Sequence, residues 1–257
     1  SGYFTTIQAG ITFATAGDIV NVVAGTYAED LVVAKALSLR GPNYGINPNT
    51  GTRVAEAIVI PATNDTTDGK LIQVLANDIS IDGLTLDGDN PSISSGGTSF
   101  GGVESNCARA VRNQNSALNG VAITGLDLSN CVVRNFVTTG YYLERFTASP
   151  IAASGNYVRN NLFSNMRFRA VYAQCDIVAT NNVITNTNTG IVVETIYIAA
   201  APGFTPIISG NTITLANTGN TQRYMGICSN NRANPAPLLN ISNNVINGSA
   251  STTTVGE

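Results

Sequence analysis

The residues best suited to chemistry fall into two columns that recur along the second half of the chain. Each repeat starts with a small residue followed by a larger one, at Ala110-Val111, Gly140-Tyr141, Ala170-Val171, Gly190-Ile191 and Gly226-Ile227. Successive side chains of a strand point to opposite faces, so the position after each pair faces outward. The outward positions are Arg112, Tyr142, Tyr172, Val192 and Cys228, and two residues further on Gln114, Glu144, Gln174, Glu194 and Asn230. We predict one outer face with a tyrosine column beside carboxylates and amides, and with Arg145 and Arg169 at its margins.

This face is suited to binding a sugar chain, with Tyr142, Tyr172, Glu144, Gln174 and Glu194 as ligand-binding candidates. It could also be catalytic, because Glu144 and Glu194 would lie two strands apart, at about 9–10 Å. That distance is at the upper edge of the roughly 6.5–9.5 Å that separates the carboxyl groups of an inverting glycosidase. The alternative is a solvated polar face without a function of this kind. The candidate catalytic residues are Glu144, Glu194, Tyr142, Tyr172 and Arg112.

The composition excludes several other kinds of active site. The chain has no histidine, which removes Ser-His-Asp and Cys-His catalysis and histidine-ligated zinc or copper. Charge is sparse, with 13 basic and 16 acidic residues, and no basic stripe indicates a nucleic-acid partner. The only lysines are Lys35 and Lys70, so we expect no lysine base in any later repeat. No apolar run approaches the roughly 20 residues that a membrane span requires.

Two further groups of residues could bind a metal or form cross-links. Asp82, Asp87 and Asp89 lie in a turn-rich stretch, and carboxylates at such spacing can hold Ca²⁺. Aspartates of this kind also occur in turns without any metal, and we predict no other cofactor. The four cysteines contain no C-x-x-C pair and are either buried thiols or disulfides, at Cys107, Cys131, Cys175 and Cys228.

Short strands in a repeating order must position these residues. An apolar residue two places before an asparagine recurs at intervals of 30, 21 and 31 residues, at Val133/Asn135, Phe163/Asn165, Ile184/Asn186 and Leu215/Asn217. These repeats step together with the outward columns. A shared period of about 20 residues, lengthened by insertions, predicts a solenoid whose coils share one core. Asparagine at the repeated turn tolerates the left-handed backbone conformation.

The start of the chain predicts a helix and carries a series of short motifs. We expect a capping helix over 5–17, with Thr5 or Thr6 as its N-cap and with Ile7 and Ile11 on one face. The motifs are Thr6-Ile7-Gln8-Ala9, Ala16-Gly17-Asp18, Gly25-Thr26-Tyr27 with Glu29, and Leu37-Ser38-Leu39-Arg40-Gly41, followed later by Gly83-Leu84-Thr85-Leu86-Asp87-Gly88.

This series resembles the first coils of the pectin-lyase-like superfamily, as found in NosD-like proteins and pectinesterases. The resemblance covers nearly the whole chain. It implies an all-β fold, a right-handed parallel β-helix solenoid whose short N-terminal helix plugs the open end. It implies no single activity, because the superfamily includes lyases, hydrolases, esterases, epimerases, adhesins and phage spikes.

We predict a single β-helix domain over 1–257, with 251–257 as a linker or strand remnant, from a longer secreted or surface protein. The first functional hypothesis is an extracellular, non-catalytic module with a structural, adhesive or glycan-binding role, next to an adjoining domain. The second is a polysaccharide lyase or inverting glycoside hydrolase that acts on an acidic or plant or algal polysaccharide. An arginine or lysine packed among acidic residues would favour the enzyme. Arg112 is the only arginine on the predicted column, so we favour the first hypothesis.

Overall fold

The computed structural model describes residues 2–94, 96–116, 119–120, 123–144, 155–194, 205–216, 225–230 and 239–248. This part of the chain is mostly β, with one α-helix, α1 (Ile7–Phe13), and one 3-10 turn (Phe100–Gly102). The strands up to residue 112 are β1 (Ile19–Asn21), β2 (Gly25–Ala28), β3 (Leu31–Val33), β4 (Leu37–Arg40), β5 (Ala57–Ile60), β6 (Asp65–Val74), β7 (Ile79–Asp82), β8 (Thr85–Asp87), β9 (Gly97–Thr98), β10 (Glu104–Ser105) and β11 (Cys107–Arg112).

The later strands are β12 (Gln114–Ser116), β13 (Asn119–Gly120), β14 (Asp127–Ser129), β15 (Val132–Phe136), β16 (Thr139–Leu143), β17 (Tyr157–Arg159), β18 (Leu162–Ala173), β19 (Val178–Thr180), β20 (Val183–Glu194), β21 (Ile207–Ser209), β22 (Thr212–Leu215), β23 (Met225–Asn230), β24 (Asn240–Ser242) and β25 (Val245–Gly248).

Two large parallel sheets contain most of these strands. Sheet A has eight strands in the order β1-β4-β7-β14-β17-β19-β21-β24, and sheet B has 13. Sheet B has two arms: one begins β2-β5-β8-β15, and the other begins β3-β6-β11-β16. The two arms meet in β18 and β20, which are 12 residues long and pair with strands of both arms. The chain therefore adds a strand to sheet A and then to sheet B, and repeats this order along its length. We call each such repeat a pass.

The core consists of side chains that repeat at the same register position from pass to pass. One such column in sheet A is fully buried throughout and comprises Leu39, Ile81, Leu128, Val158, Ala179 and Ile208. Alternation of buried and partly exposed residues within each strand places this column inside, as in the pattern of β4 and β7. Because one pass cannot bury its own inner face, the core exists only through stacking.

A second internal column consists of asparagines, which the sequence analysis did not select. The backbone N–H of Asn161 donates to Asn182 Oδ1 at 3.0 Å, and that of Asn182 donates to Asn211 Oδ1 at 3.0 Å. The series continues to Asn244, whose Oδ1 accepts from the Asn211 backbone N–H at 2.9 Å. Asn161, Asn182 and Asn211 are completely buried. We refer to these four residues as the buried asparagine ladder.

The predicted turn asparagines adopt the left-handed conformation. Asn135, Asn165 and Asn186 have φ angles of 63°, 60° and 52°. Their side chains also bond to one another, since Asn165 Nδ2 donates to Asn135 Oδ1 at 2.8 Å. The fourth member of the predicted series, Asn217, lies outside the described residues.

The N-terminal helix is shorter than predicted. It covers Ile7–Phe13, with Thr6 as N-cap, and Ile7 and Ile11 are buried against the core. It ends early because Ala14 leaves the helical region, with ψ at 148°, and because the backbone N–H of Thr15 donates to Asp18.

No described helix is long and apolar enough to cross a membrane. All four cysteines are free thiols, so the disulfide alternative is not realised within the chain. The predicted linker, 251–257, lies outside the described residues.

We expect Asn182→Ala to lower the free energy of unfolding by about 1–3 kcal/mol, because it leaves buried partners of the asparagine ladder without a hydrogen bond. Urea denaturation at constant pH measures this change. The matched control is Asn21→Ala, since Asn21 is exposed on β1, and it should stay within about 0.5 kcal/mol of the parent chain. Equal effects of the two substitutions would contradict a structural role for the ladder.

Candidate functional site

The structure brings the outward residues of sheet B together in register. Arg112 on β11 pairs with Tyr142 on β16, Tyr142 pairs with Tyr172 on β18, and Tyr172 pairs with Val192 on β20. Cys228 on β23 is the next register partner. The face is less exposed than the sequence suggested, because Arg112, Tyr172 and Val192 keep only 4%, 6% and 4% of their surface exposed. These side chains point away from the main core but are not solvated.

The two tyrosines form a stack whose ring faces are already covered. Their ring centroids are 4.7 Å apart at an interplanar angle of 16°. The guanidinium of Arg112 lies 4.8 Å from the Tyr142 centroid, and that of Arg169 lies 4.7 Å from the Tyr172 centroid. Arg112 and Tyr172 come from the strands on opposite sides of Tyr142, so both faces of this ring are occupied. A sugar ring therefore cannot stack on either face of Tyr142, and only the edge of this ligand-binding candidate is available.

Asp68 on β6 is the centre of a charged network that the sequence analysis missed. Its Oδ1 accepts from Arg112 Nη1 at 2.5 Å and from Arg109 Nη1 at 3.1 Å. Its Oδ2 accepts from Lys70 Nζ at 2.8 Å. Arg112 also donates from Nη2 to Glu144 Oε2 at 2.7 Å, and this pair is almost fully buried, with 5% and 8% of the side chains exposed. Residues of β6 and β11, and Glu144 directly after β16, thus share one network of opposite charges.

Lys70 and Arg109 add two basic groups to this face, although neither belongs to the predicted columns. Arg109 lies beside Arg112 and pairs in register with Lys70. Lys70 belongs to the pass that directly adjoins Arg109, so a lysine is present at the site. The sequence could have predicted Arg109 at this face, because the residue before each small residue of the repeat forms a further column. Successive passes place Arg109, Thr139 and Arg169 at this position.

Glu194 belongs to a separate cluster from Glu144. Tyr172 donates its hydroxyl proton to Glu194 Oε2 at 2.6 Å, and Gln174 Nε2 donates to the same oxygen at 2.9 Å. Glu144 accepts from Arg112 and from the Tyr142 hydroxyl, the latter at 3.2 Å. Both carboxylates are acceptors in these contacts, whereas an inverting glycosidase needs one of its two carboxyl groups as a proton donor. The side-chain surroundings of Gln114 and Asn230, and all of Arg145, lie outside what the structure describes.

Burial and charge shift the proton affinities of this face. Burial, with the neighbouring charge of Glu144, raises the pKa of Tyr142 to about 12, and burial and the bond to Glu194 raise the pKa of Tyr172 further. Both phenols are therefore hydrogen-bond donors at neutral pH. Burial and the charge of Arg112 lower the pKa of Arg109. Burial alone would raise the pKa of Asp68, but the hydrogen bond from Lys70 and the nearby guanidinium groups lower it overall.

A cleft of about 180 Å³ opens beside Asp68. Its lining combines carboxylates, amides and an ammonium group with a few apolar residues, from Asp30, Leu31, Val32, Thr63, Asp65, Asp68, Gly69, Lys70, Gln73, Asn106 and Cys107. Asp30 accepts from the Thr63 hydroxyl and from the Ala62 backbone N–H, and burial raises its pKa. We refer to these lining residues as the Asp68 cleft.

The calcium candidates bond to protein donors. Asp82 accepts from Asn130 Nδ2 at 3.0 and 3.1 Å, and Asp87 accepts from Asn135 Nδ2 at 2.8 Å and from Arg134 Nε at 2.6 Å. Asp87 also accepts from the backbone N–H of Asp89. Within the described residues, no three His, Cys, Asp or Glu side chains are grouped so as to hold a metal ion. Asp82 and Asp87 thus anchor turns, and the calcium hypothesis stays a prediction.

Comparison of the chain with protein-family models, with curated protein sequences and with solved structures gave no significant match.

The depressed pKa of Asp68 predicts a pH-dependent stability difference between the parent chain and Asp68→Asn. A carboxyl group with a lowered folded-state pKa stabilises the fold above its unfolded pKa of about 3.9 and loses this effect as the pH falls through the folded value. The parent chain should therefore be more stable than Asp68→Asn at pH 7, and the two urea midpoints should converge as the pH falls below about 4.

Asp89→Asn is the control, because the pKa of Asp89 is shifted in the opposite direction to that of Asp68. Burial, together with the charges of Asp87 and Glu104, raises the pKa of Asp89, so its ionised form is disfavoured in the fold. This variant should be at least as stable as the parent chain at pH 7, with the difference again vanishing at low pH. A midpoint difference for Asp68→Asn that stays constant from pH 7 to pH 3 would refute the charge network.

Proposed function

We propose that the chain is a right-handed parallel β-helix of the pectin-lyase-like kind and that it serves as an extracellular, non-catalytic module that binds a glycan in the Asp68 cleft. The strand order of sheets A and B supports the fold proposal, because each pass adds parallel strands beside those of the previous pass. Crossovers between parallel strands of one sheet are almost always right-handed. The extracellular location and the adjoining domain stay predictions.

The observation that carries the functional proposal is the polar lining of the Asp68 cleft. Sugar hydroxyl groups both donate and accept hydrogen bonds, and the cleft offers acceptors on Asp30 and Asp65 beside the ammonium donor of Lys70. Its volume of about 180 Å³ is below the roughly 300–1,000 Å³ of small-molecule pockets. A cleft of this size suits one unit of a longer chain that continues across the surface.

The charge network supports binding because it fixes one wall of the cleft. Lys70 and Asp68 line the cleft, and they are tied to Arg109 and Arg112 behind it. Side chains that are held in place before binding lose little conformational entropy when a ligand arrives. The wall is therefore ready to bind without rearrangement.

A second candidate function, a polysaccharide lyase, is favoured by one specific observation. Arg109 and Lys70 are packed against Asp68, which is the arrangement of basic among acidic residues that a lyase needs for proton abstraction. The lowered pKa of Arg109 acts in the same direction, because a base must give up its proton before it can take one from a substrate. The acceptor roles of Glu144 and Glu194 give no comparable support to an inverting hydrolase.

The test is affinity electrophoresis of the purified chain through gels that contain pectin, alginate, chondroitin or a neutral plant glycan. We expect retardation by at least one of these glycans. Lys70→Ala, which removes a donor from the cleft, should weaken that binding about tenfold, equivalent to the loss of one charge-assisted hydrogen bond.

The matched control is Arg159→Ala, which removes the same charge from an exposed pair with Asp127 on sheet A. It should leave retardation unchanged, and thermal unfolding of all variants checks that they are folded. Absence of retardation in every gel, or equal loss in both variants, would contradict glycan binding in the cleft. A lyase would instead form an unsaturated product that absorbs ultraviolet light. If this product accumulates and Arg109→Ala abolishes it, the chain is a lyase and the proposal of a non-catalytic module is wrong.

A further inference from the structure

The charged side chains around the Asp68 cleft are arranged so that the carboxylates are the more exposed groups. Asp65 is exposed, and 44% of the Asp68 side chain is exposed. The basic side chains are more deeply buried, since Lys70, Arg109 and Arg112 keep only 19%, 16% and 5% of their surface exposed. A ligand that enters the cleft therefore meets negative charge before positive charge.

Each of these basic groups is already bonded to a carboxylate of the protein. Lys70 and Arg109 both donate to Asp68, and Arg112 bridges Asp68 and Glu144. An acidic ligand could pair with one of them only by competing with Asp68, which would leave a protein carboxylate without its partner. Lys70 can still donate to a neutral hydroxyl group, because an ammonium group has three protons.

Asp30 and Asp65 add negative charge to the lining that no basic side chain balances. Neither residue takes part in any ion pair in the part of the chain that the structure describes. Their donors are neutral: Asp30 accepts from the Thr63 hydroxyl and the Ala62 backbone N–H, and Asp65 accepts from the Thr67 backbone N–H. Burial raises the pKa of Asp30, and the charge of Asp65 acts in the same direction, so the two carboxylates repel each other.

We propose that the Asp68 cleft binds an uncharged stretch of glycan and excludes sugar units that carry a carboxylate or sulfate group. This inference rests on the proposed glycan binding in the cleft and names the class of glycan. An acidic sugar would bring a further negative charge beside Asp30 and Asp65, and like charges at an interface suppress binding of the wrong partner. Neutral hydroxyl groups can donate to these carboxylates and accept from Lys70. The remaining polar side chains of the lining carry no charge and suit the same hydroxyl groups, at Thr63, Gln73 and Asn106.

The test compares matched pairs of glycans that differ in charge but not in linkage. Carboxyl reduction converts the uronate units of pectin and alginate to neutral sugars, and oxidation of primary hydroxyl groups converts a neutral plant glycan to its uronate form. Affinity electrophoresis at low ionic strength gives an apparent dissociation constant for both members of each pair. In every pair that retards the chain, we expect the neutral member to bind at least about tenfold more tightly.

Asp65→Asn tests whether the cleft causes this preference. The substitution removes one exposed carboxylate, while its amide oxygen can still accept from the Thr67 backbone N–H. We expect it to reduce the preference for the neutral member by at least about threefold. Asp78→Asn is the matched control, because Asp78 is also exposed but does not line the cleft. It should leave the preference unchanged, and thermal unfolding shows whether both variants are folded.

Equal binding within each pair, or tighter binding of the acidic member, would overturn the inference and leave glycan binding in place. A preference that Asp65→Asn and Asp78→Asn reduce equally would also overturn it, because the net charge of the chain would then be the cause. If no member of any pair retards the chain, glycan binding itself is contradicted, and the inference fails with it.

Discussion

Three members of the buried asparagine ladder, Asn182, Asn211 and Asn244, each accept two hydrogen bonds from the preceding asparagine, as Asn182 does from the backbone and the side chain of Asn161. Their side-chain amides also donate to backbone carbonyls, as that of Asn182 does to Val158. An unsatisfied buried amide costs more than a formed bond contributes, which penalises any shift of one pass against the next. The ladder therefore favours a single register among the passes that contain Asn161 to Asn244.

In the earlier passes, parallel strand pairing in sheet B assembles the candidate site. Asp68, Arg112 and Glu144 are far apart in sequence, yet they meet because β6, β11 and β16 are neighbours in sheet B. A buried ion pair stabilises the fold only when its geometry and remaining hydrogen bonds are good, and breaking one partner leaves an uncompensated charge. The site and the fold thus depend on the same pairing, and the rigidity of the cleft wall follows from it.

Sequence periodicity located much of this arrangement. Alternation within strands and the repeated small residues predicted that Arg112, Tyr142 and Tyr172 would adjoin one another. This was possible because the two-residue period of a strand can be recognised from the sequence alone. The cleft and Asp68 escaped prediction, because Asp68 lies before the repeat that was recognised. The stacking of the tyrosine rings also escaped it, since a column of residues does not reveal which ring faces stay open. The short helix reflects a local competition in which Asp18 bonds to Thr15.

The central claim is that strand pairing brings charged residues of different passes into buried ion pairs. A double-mutant cycle between Arg112→Met and Glu144→Gln tests this claim most directly. Unfolding free energies of the parent, the two single variants and the double variant give the coupling. We predict a coupling of about 2–3 kcal/mol, because each single variant leaves one buried group without its partner. Effects that add to within about 0.5 kcal/mol would contradict this account.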